Sequence, residues 1–443
     1  MRAADEAAGL IGNVDLVTNA ASGLTVNFGA GSAGTLKVKG SAENPLDVRV
    51  KNIANNQSLT LEGKLQTLDT DMAFTSGGSL TLKSGAEYTS ARNMALTAQE
   101  DVTLESGAKL DAENSLRLEA GKSVFAAGSL KGKGDILAAA TEGNVHLQRT
   151  EAQNGNIRAR AENGSISMDE VLTHKGDIAA EAKKGDVIIG TATAENGAIA
   201  LAATNGKLTA EALQAKKNIA AAGKDVEMKQ QVTAGKDLTM TAANRLTTAE
   251  ELSAANITLK GGDITTQKKV TAGNDMTLTA ANSLKATDKL TAGGSIAASS
   301  ANGNIDIAAA EAKGGIDLKA TNGTLTAGVL QAKGSIAATG KDIAMKQKAA
   351  AEKDLTLTAT NKLTTEDELS AGANMTLTGG DVTTKKKVKA EKDLTMTATN
   401  KLTTADEISA EQNMTLTGGD VTTKKKVKAE KDLTITATNN LTT

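Results

Sequence analysis

Leu355, Leu394 and Leu433 mark nearly identical segments 39 residues apart, the first running DLTLTATNKLTTEDELSAGANMTLTGGDVTTKKKVKAEK. Inside each copy runs a weaker repeat, in which Leu355, Met375, Leu394, Met414 and Leu433 advance in steps of 20, 19, 20 and 19. A period this short is one supersecondary unit that cannot bury its apolar face alone, so each copy must stack on its neighbours. The repeat therefore overrides the division into several globular domains that 443 residues would suggest.

Leu355-Thr-Leu357-Thr and Met375-Thr-Leu377-Thr alternate strictly, which is the pattern of a half-buried strand. Leu and Met are expected inside and Thr outside. Short strands follow at Leu363-Thr-Thr and Leu369-Ser-Ala, giving three strands per coil with corners between them. Repeats running in one direction suit a parallel stack with equivalent strands about 4.8 Å apart, and strand twist favours the right hand. The expected fold is all-β: a right-handed parallel β-helix (solenoid) with three short strands per coil and coils of length 19–21. The step from Leu355 to Leu363 is 8 and that from Met375 to Val382 is 7, which explains the alternating period. Asn361 and the Gly379-Gly380 pair are the corner residues where positive φ would be tolerated.

The pattern changes along the chain. Ile199–Thr248 matches Ile316–Thr365 at a spacing of 117, three of the 39-residue units. Upstream, Val145, Ile157, Ile166, Ile178, Val187, Ile199 and Leu208 are spaced alternately by 12 and 9. Four regions follow: an irregular β-rich part at 1–59 holding the first coils, degenerate coils at 60–142, coils of length 21 at 143–208, and regular coils of length 19–20 in 39-residue pairs at 209–443. About 20 coils at about 4.8 Å each would make a rod of roughly 90–100 Å.

Composition fits a thin interior. The only aromatic residues are Phe28, Phe74, Tyr88 and Phe125, so Ala, Leu, Ile, Val and Met must line the coil. Cysteine is absent, which removes disulfides and thiolate chemistry. Fifty basic and 52 acidic residues leave a net charge of −2, with no overall field to attract nucleic acid or an anionic membrane. No stretch has the apolar length of a membrane span, and residues 1–20 lack the pattern of a signal peptide. Because Thr443 falls within a repeat, the chain reads as a fragment.

Charge is placed at the corners. Glu366-Asp367-Glu368 precedes inward Leu369, and Lys385-Lys386-Lys387 precedes Val388, its equivalent one coil later. Asp406-Glu407 before Ile408 and Lys424-Lys425-Lys426 before Val427 repeat this, as do Glu250-Glu251 and Lys268-Lys269 earlier. Stacked coils would set acid against base, and a slip of one coil would set like against like. A register lock is favoured over a binding stripe for an anionic partner. Outward columns such as Thr356, Thr376, Thr395 and Thr415 suit soluble strands and offer hydroxyls along the stack.

A search for chemistry finds little, and no catalytic, cofactor-binding or metal-ligating residue is assigned. His146 lies between inward Val145 and Leu147 and should face solvent, while His174 precedes the Gly176 corner. Neither has carboxylates at ligand spacing in the sequence. The GGD corners at Gly261–Asp263, Gly379–Asp381 and Gly418–Asp420 lack the nine-residue period of calcium-binding repeats. Gly29-Ala-Gly31-Ser-Ala-Gly34 has dinucleotide-loop spacing but opens a strand, and Gly121-Lys122-Ser123 lacks the upstream glycine of a phosphate loop. Asn163, Asn256, Asn374 and Asn413 begin glycosylation-type triplets, which a Thr-rich chain supplies by chance.

The rungs AGKDLTMTAANRLTT, AEKDLTMTATNKLTT, AGANMTLTGGDVTT and AGNDMTLTAANSLKA resemble the repeats of filamentous-haemagglutinin-like exoproteins, over most of residues 60–443. The resemblance implies a large surface or secreted Gram-negative protein exported through an outer-membrane secretion partner, with a β-helical shaft carrying adhesive or toxic regions. That family's secretion domain carries NPN-type motifs; Glu43-Asn44-Pro45-Leu46 departs from them, so that domain is expected outside this chain. The leading expectation is a non-enzymatic adhesin shaft, extracellular or at the cell surface, that meets a receptor or glycan on a host or neighbouring cell. The alternatives are the stalk of a contact-dependent toxin and, last, a polysaccharide-acting β-helical enzyme.

Overall fold

The computed structural model describes residues 54–443 and five earlier strands, Leu10–Ile11, Val14–Thr18, Leu24–Phe28, Thr35–Lys39 and Val48–Asn52. Glu43–Leu46 and Gly29–Gly34 lie outside the described residues. All regular structure among the described residues is strand, and successive turns pair in parallel. The protein is a parallel β-solenoid, divided into units 1–229 and 230–443.

In the first unit Val48, Met72, Met94, Leu116, Ile136, Ile157, Ile178, Ile199 and Ile219 hold one inward position on successive turns. The step is 22 along Met72, Met94 and Leu116, and 21 along Ile136, Ile157, Ile178 and Ile199. The longer turns enclose Phe74 and Tyr88, both fully buried with ring centroids 5.5 Å apart. A wider section needs larger side chains to reach native packing density, so aliphatic residues alone do not fill this part. Tyr88 donates its hydroxyl to the Glu62 carbonyl at 3.2 Å, and burial pushes its phenol above the usual range.

In the second unit one inward position runs Leu238, Ile257, Met276, Ile296, Ile316, Ile336, Leu355, Met375, Leu394 and Met414, and the exposed Leu433 continues the column on the last turn. Each turn has three sides. At Asp237–Ala242, Arg245–Thr248 and Leu252–Ala254 these are separate strands. In the regular coils the first two join across the corner, as in Leu355–Thr365, and only Leu369–Ala371 stands apart. The ladder sets Thr358 beside Thr378 and then Lys362 beside Asp381, a one-residue slip that produces the 20/19 step. The corner difference read from the sequence is thus a register shift inside a continuous strand.

Threonines divide between the two surfaces. Thr356, Thr376, Thr395 and Thr415 form an outward column as expected. Thr365, Thr384 and Thr404 point inward and are fully buried, against the expectation that threonine faces solvent. Alternation carries residue 365 to the same side as Leu363 whatever its polarity. The buried hydroxyls have no hydrogen-bond partner. Buried Leu and Ile columns supply the stabilisation, about 1.5–3 kcal/mol for each fully buried side chain, and they tolerate this cost.

The corners that would tolerate positive φ do not use it. Positive φ among the described residues occurs at Asn56, Gly63, Gly85 and Gly107, not at Asn361, Gly379 or Gly380. Gly380 instead lies on the previous corner, where an added Cβ would overlap the Asn361 carbonyl oxygen. Gly155, Gly176 and Gly197 stack likewise, each against the backbone of the glycine one turn earlier. These glycines serve close backbone approach between turns rather than a left-handed conformation.

Candidate functional site

Stacking converts the corner charges into ladders. Glu366 lies 2.8 Å from Lys346 of the preceding turn and 3.7 Å from Lys385 of the following one. Lys348 meets Glu368 at 4.0 Å, and Lys387 meets Glu407 at 3.6 Å. The hydrogen bond and charge of Lys346, with Lys385 adding to them, hold the Glu366 carboxyl below its usual range. Glu251 and Lys269 are adjacent through the bond from the Leu252 amide to the Lys269 carbonyl, yet their side chains form no ion pair among the described residues. In the first unit Glu87 is bridged by Lys64 and Lys109, each at 3.0 Å, and its carboxyl is lowered for the same reason.

His174 is the residue whose surroundings the sequence concealed. Its Nδ1 is 2.8 Å from Glu195 Oε2 on the next turn, and its Nε2 is 3.6 Å from Glu151 Oε1 on the previous one. Glu151 also meets Lys131 at 3.2 Å. The hydrogen bond and charge of Glu195, followed by those of Glu151, raise the imidazole above its usual range. Glu151 precedes the histidine by 23 positions and Glu195 follows it by 21, so they become its neighbours only through stacking. No group of three or more His, Cys, Asp or Glu side chains among the described residues is arranged to hold a metal ion.

Side-chain amides and carboxylates form a second kind of ladder. Asp135 Oδ1 accepts the Asn156 amide at 2.7 Å, Asn156 Oδ1 accepts the Asp177 amide at 2.8 Å, and Asp177 Oδ1 accepts the Ala198 amide at 2.8 Å. Asn163, Asn256, Asn374 and Asn413 of the glycosylation-type triplets belong to the same system. Asn374 donates Nδ2 to Asp354 at 3.1 Å, Asn413 to Asp393 at 2.9 Å, Asn256 to Asp237 at 2.8 Å, and Asn163 to the Thr141 carbonyl at 3.0 Å. Two of the GGD aspartates cap the next turn: Asp263 accepts from the Ser283 amide at 3.1 Å and Asp420 from the Asn440 amide at 3.2 Å. Lys122, within the phosphate-loop-like triplet, pairs with Glu100 at 2.8 Å.

One outward face of the first unit is different. Register places Phe125, His146, Ser167 and Ile188 in a single column on four successive turns. Phe125 is 42% exposed and Ile188 49% exposed, whereas Phe74 and Tyr88 are buried. His146 faces outward and is half-buried, as its position between Val145 and Leu147 predicts. Elsewhere, a groove of about 400 Å³ in the second unit runs over Gln331, Ala350 and Ser370, beside Lys333 and Glu352. No helix among the described residues is long and apolar enough to cross a membrane, which says nothing of strands.

A family model described as haemagglutinin repeat matches residues 75–157, 223–264, 251–310, 300–344, 347–387 and 378–443, more than half of the chain. No curated protein and no solved structure matches it.

Proposed function

The chain belongs to the haemagglutinin-repeat family, and from that premise we propose that it is the shaft of a bacterial surface or secreted adhesin. In this reading it attaches to a host or neighbouring cell through its outer faces, performs no catalysis, and is exported through an outer-membrane secretion partner. The observation that carries the proposal is the consumption of charge by stacking. Glu366, Glu87, Lys122 and Lys387 spend their charges on neighbouring turns, as a scaffold of repeats requires. Outward side chains that remain free of the ladders are then available for contact.

Adhesion of beads carrying the full chain to epithelial cells and to bacterial cells tests this. Retention well above that of beads carrying heat-unfolded chain is expected. Equal retention of the two would overturn the adhesive role, and release of reducing sugar from a polysaccharide panel would overturn the non-enzymatic one.

A further inference from the structure

The Phe125 face departs from the rest of the surface in composition and in bonding. Its first column is Phe125, His146, Ser167 and Ile188. Two positions further along the second and third of these strands, Gln148 and Asp169 also face outward and are exposed. His146, Gln148, Ser167 and Asp169 make no side-chain hydrogen bond or ion pair with another described residue. At the adjoining corner Arg149 and Glu170 are paired at 2.9 Å, so the register lock ends at the edge of this face. A four-group polar band is therefore left free between an exposed ring and an exposed aliphatic side chain. Leaving Phe125 in water has no value for a core whose described aromatic residues, Phe74 and Tyr88, are inside.

We infer that this face, Phe125 to Ile188, is a binding site for an uncharged oligosaccharide. The inference rests on the adhesin reading and locates its contact. An exposed phenyl ring offers an apolar platform for the C–H face of a pyranose, and exposed aromatic anchors commonly dominate recognition. Imidazole, amide, hydroxyl and carboxylate groups alongside provide donors and acceptors for sugar hydroxyls. Turns are about 4.8 Å apart, close to the repeat of an extended hexose chain, so successive sugars meet successive turns. Asp169 and the absence of a lysine or arginine among the four polar groups disfavour sulfated or sialylated chains. Phe125 and Ile188 are three turns apart with polar groups between them, so the face carries no contiguous apolar patch of the kind that marks a protein interface.

Binding of the full chain to immobilised neutral, sialylated and sulfated oligosaccharides, and to protein-coated surfaces, tests the site. Phe125→Ser is the principal variant, His146→Ala the second, and Thr376→Ser the control on an outward column of the other unit. Unchanged circular dichroism and thermal midpoint establish that each variant folds. Retention of at least one neutral oligosaccharide of three or more units is expected, with a tenfold or greater loss in Phe125→Ser and no change in Thr376→Ser. The site is overturned if no neutral oligosaccharide is retained, if Phe125→Ser binds normally, or if the Phe125-dependent ligand is a sulfated chain or a protein. Cell adhesion by a parent chain that retains no neutral oligosaccharide overturns the site and leaves the adhesin reading intact. Absence of both cell and sugar binding overturns both.

Discussion

The Glu366 carboxylate lies 2.8 Å from the Lys346 ammonium of the turn before it. Lys385 approaches the same carboxylate from the turn after, at 3.7 Å, so one acid ties three turns. Glu366→Lys would line up three ammonium groups about one turn apart. The variant is expected to melt below the parent in low salt, and the gap should narrow as ionic strength shortens the Debye length below about 8 Å. Thermal melts at two salt concentrations check this; a gap independent of salt would show that charge is not the cause.

Gly380 tests the close-approach argument. Gly380→Ala places a methyl group on the Asn361 carbonyl and is expected to cost about 1–3 kcal/mol, as overpacking generally does. Gly85 has φ of +80° and nothing within 4 Å of an added Cβ. Gly85→Ala should therefore be destabilising through backbone strain alone. Urea unfolding of both variants distinguishes the mechanisms: replacing Gly85 with Asn, which tolerates positive φ, should recover part of the loss, whereas Gly380→Asn should not.

The inward threonines give a prediction of opposite sign. Thr384 is fully buried and its hydroxyl has no partner. Thr384→Val keeps the shape and removes an unsatisfied group, so stability should rise by about 1 kcal/mol or more. Thr404→Val should act similarly. A fall in the urea midpoint in either variant would mean that the hydroxyl is satisfied in solution.

The pH dependence of the first unit follows from His174. Its imidazole is raised above the ordinary value by Glu195 and then Glu151. A group whose folded pKa exceeds its unfolded one stabilises fully below the unfolded pKa, about 6.5, and loses that contribution as pH rises through the folded value. The facing groups are Glu195 on the next turn and Glu151, itself paired with Lys131, on the previous one. His174→Gln should therefore narrow the stability difference between mildly acidic and alkaline solution. Imidazole titration by NMR should also show the His174 midpoint falling when Glu195→Gln is introduced, and an unmoved midpoint would refute the clamp.

Much was legible in the sequence because the repeat fixes which residues face inward. Leu355, Met375 and Leu394 fall in one column, and the unequal corners after Leu357 and Leu377 forecast the register shift. Alternation also placed His146 outward. It contained the inward threonines too, since Thr365 follows Leu363 by two, but polarity argued the other way. The role of the corner glycines is not legible in the sequence, for a different reason. Their requirement comes from the backbone of another turn, and local conformational preference carries no sign of it.

By itself, then, the sequence determined an all-β parallel stack, its inward columns and the alternation of acidic and basic corners, because periodicity acts within a turn. Tertiary structure decided which side chains meet across turns. Phe125 follows its neighbour Thr103 by 22 positions and precedes His146 by 21, and lengthening or shortening either turn would pair it differently. The clamp on His174, the double bridge at Glu366 and the free face beside Phe125 all depend on that count. The count of residues per turn fixes these neighbours, and the interior packs within it, as Phe74 and Tyr88 do in the turn that begins at Met72.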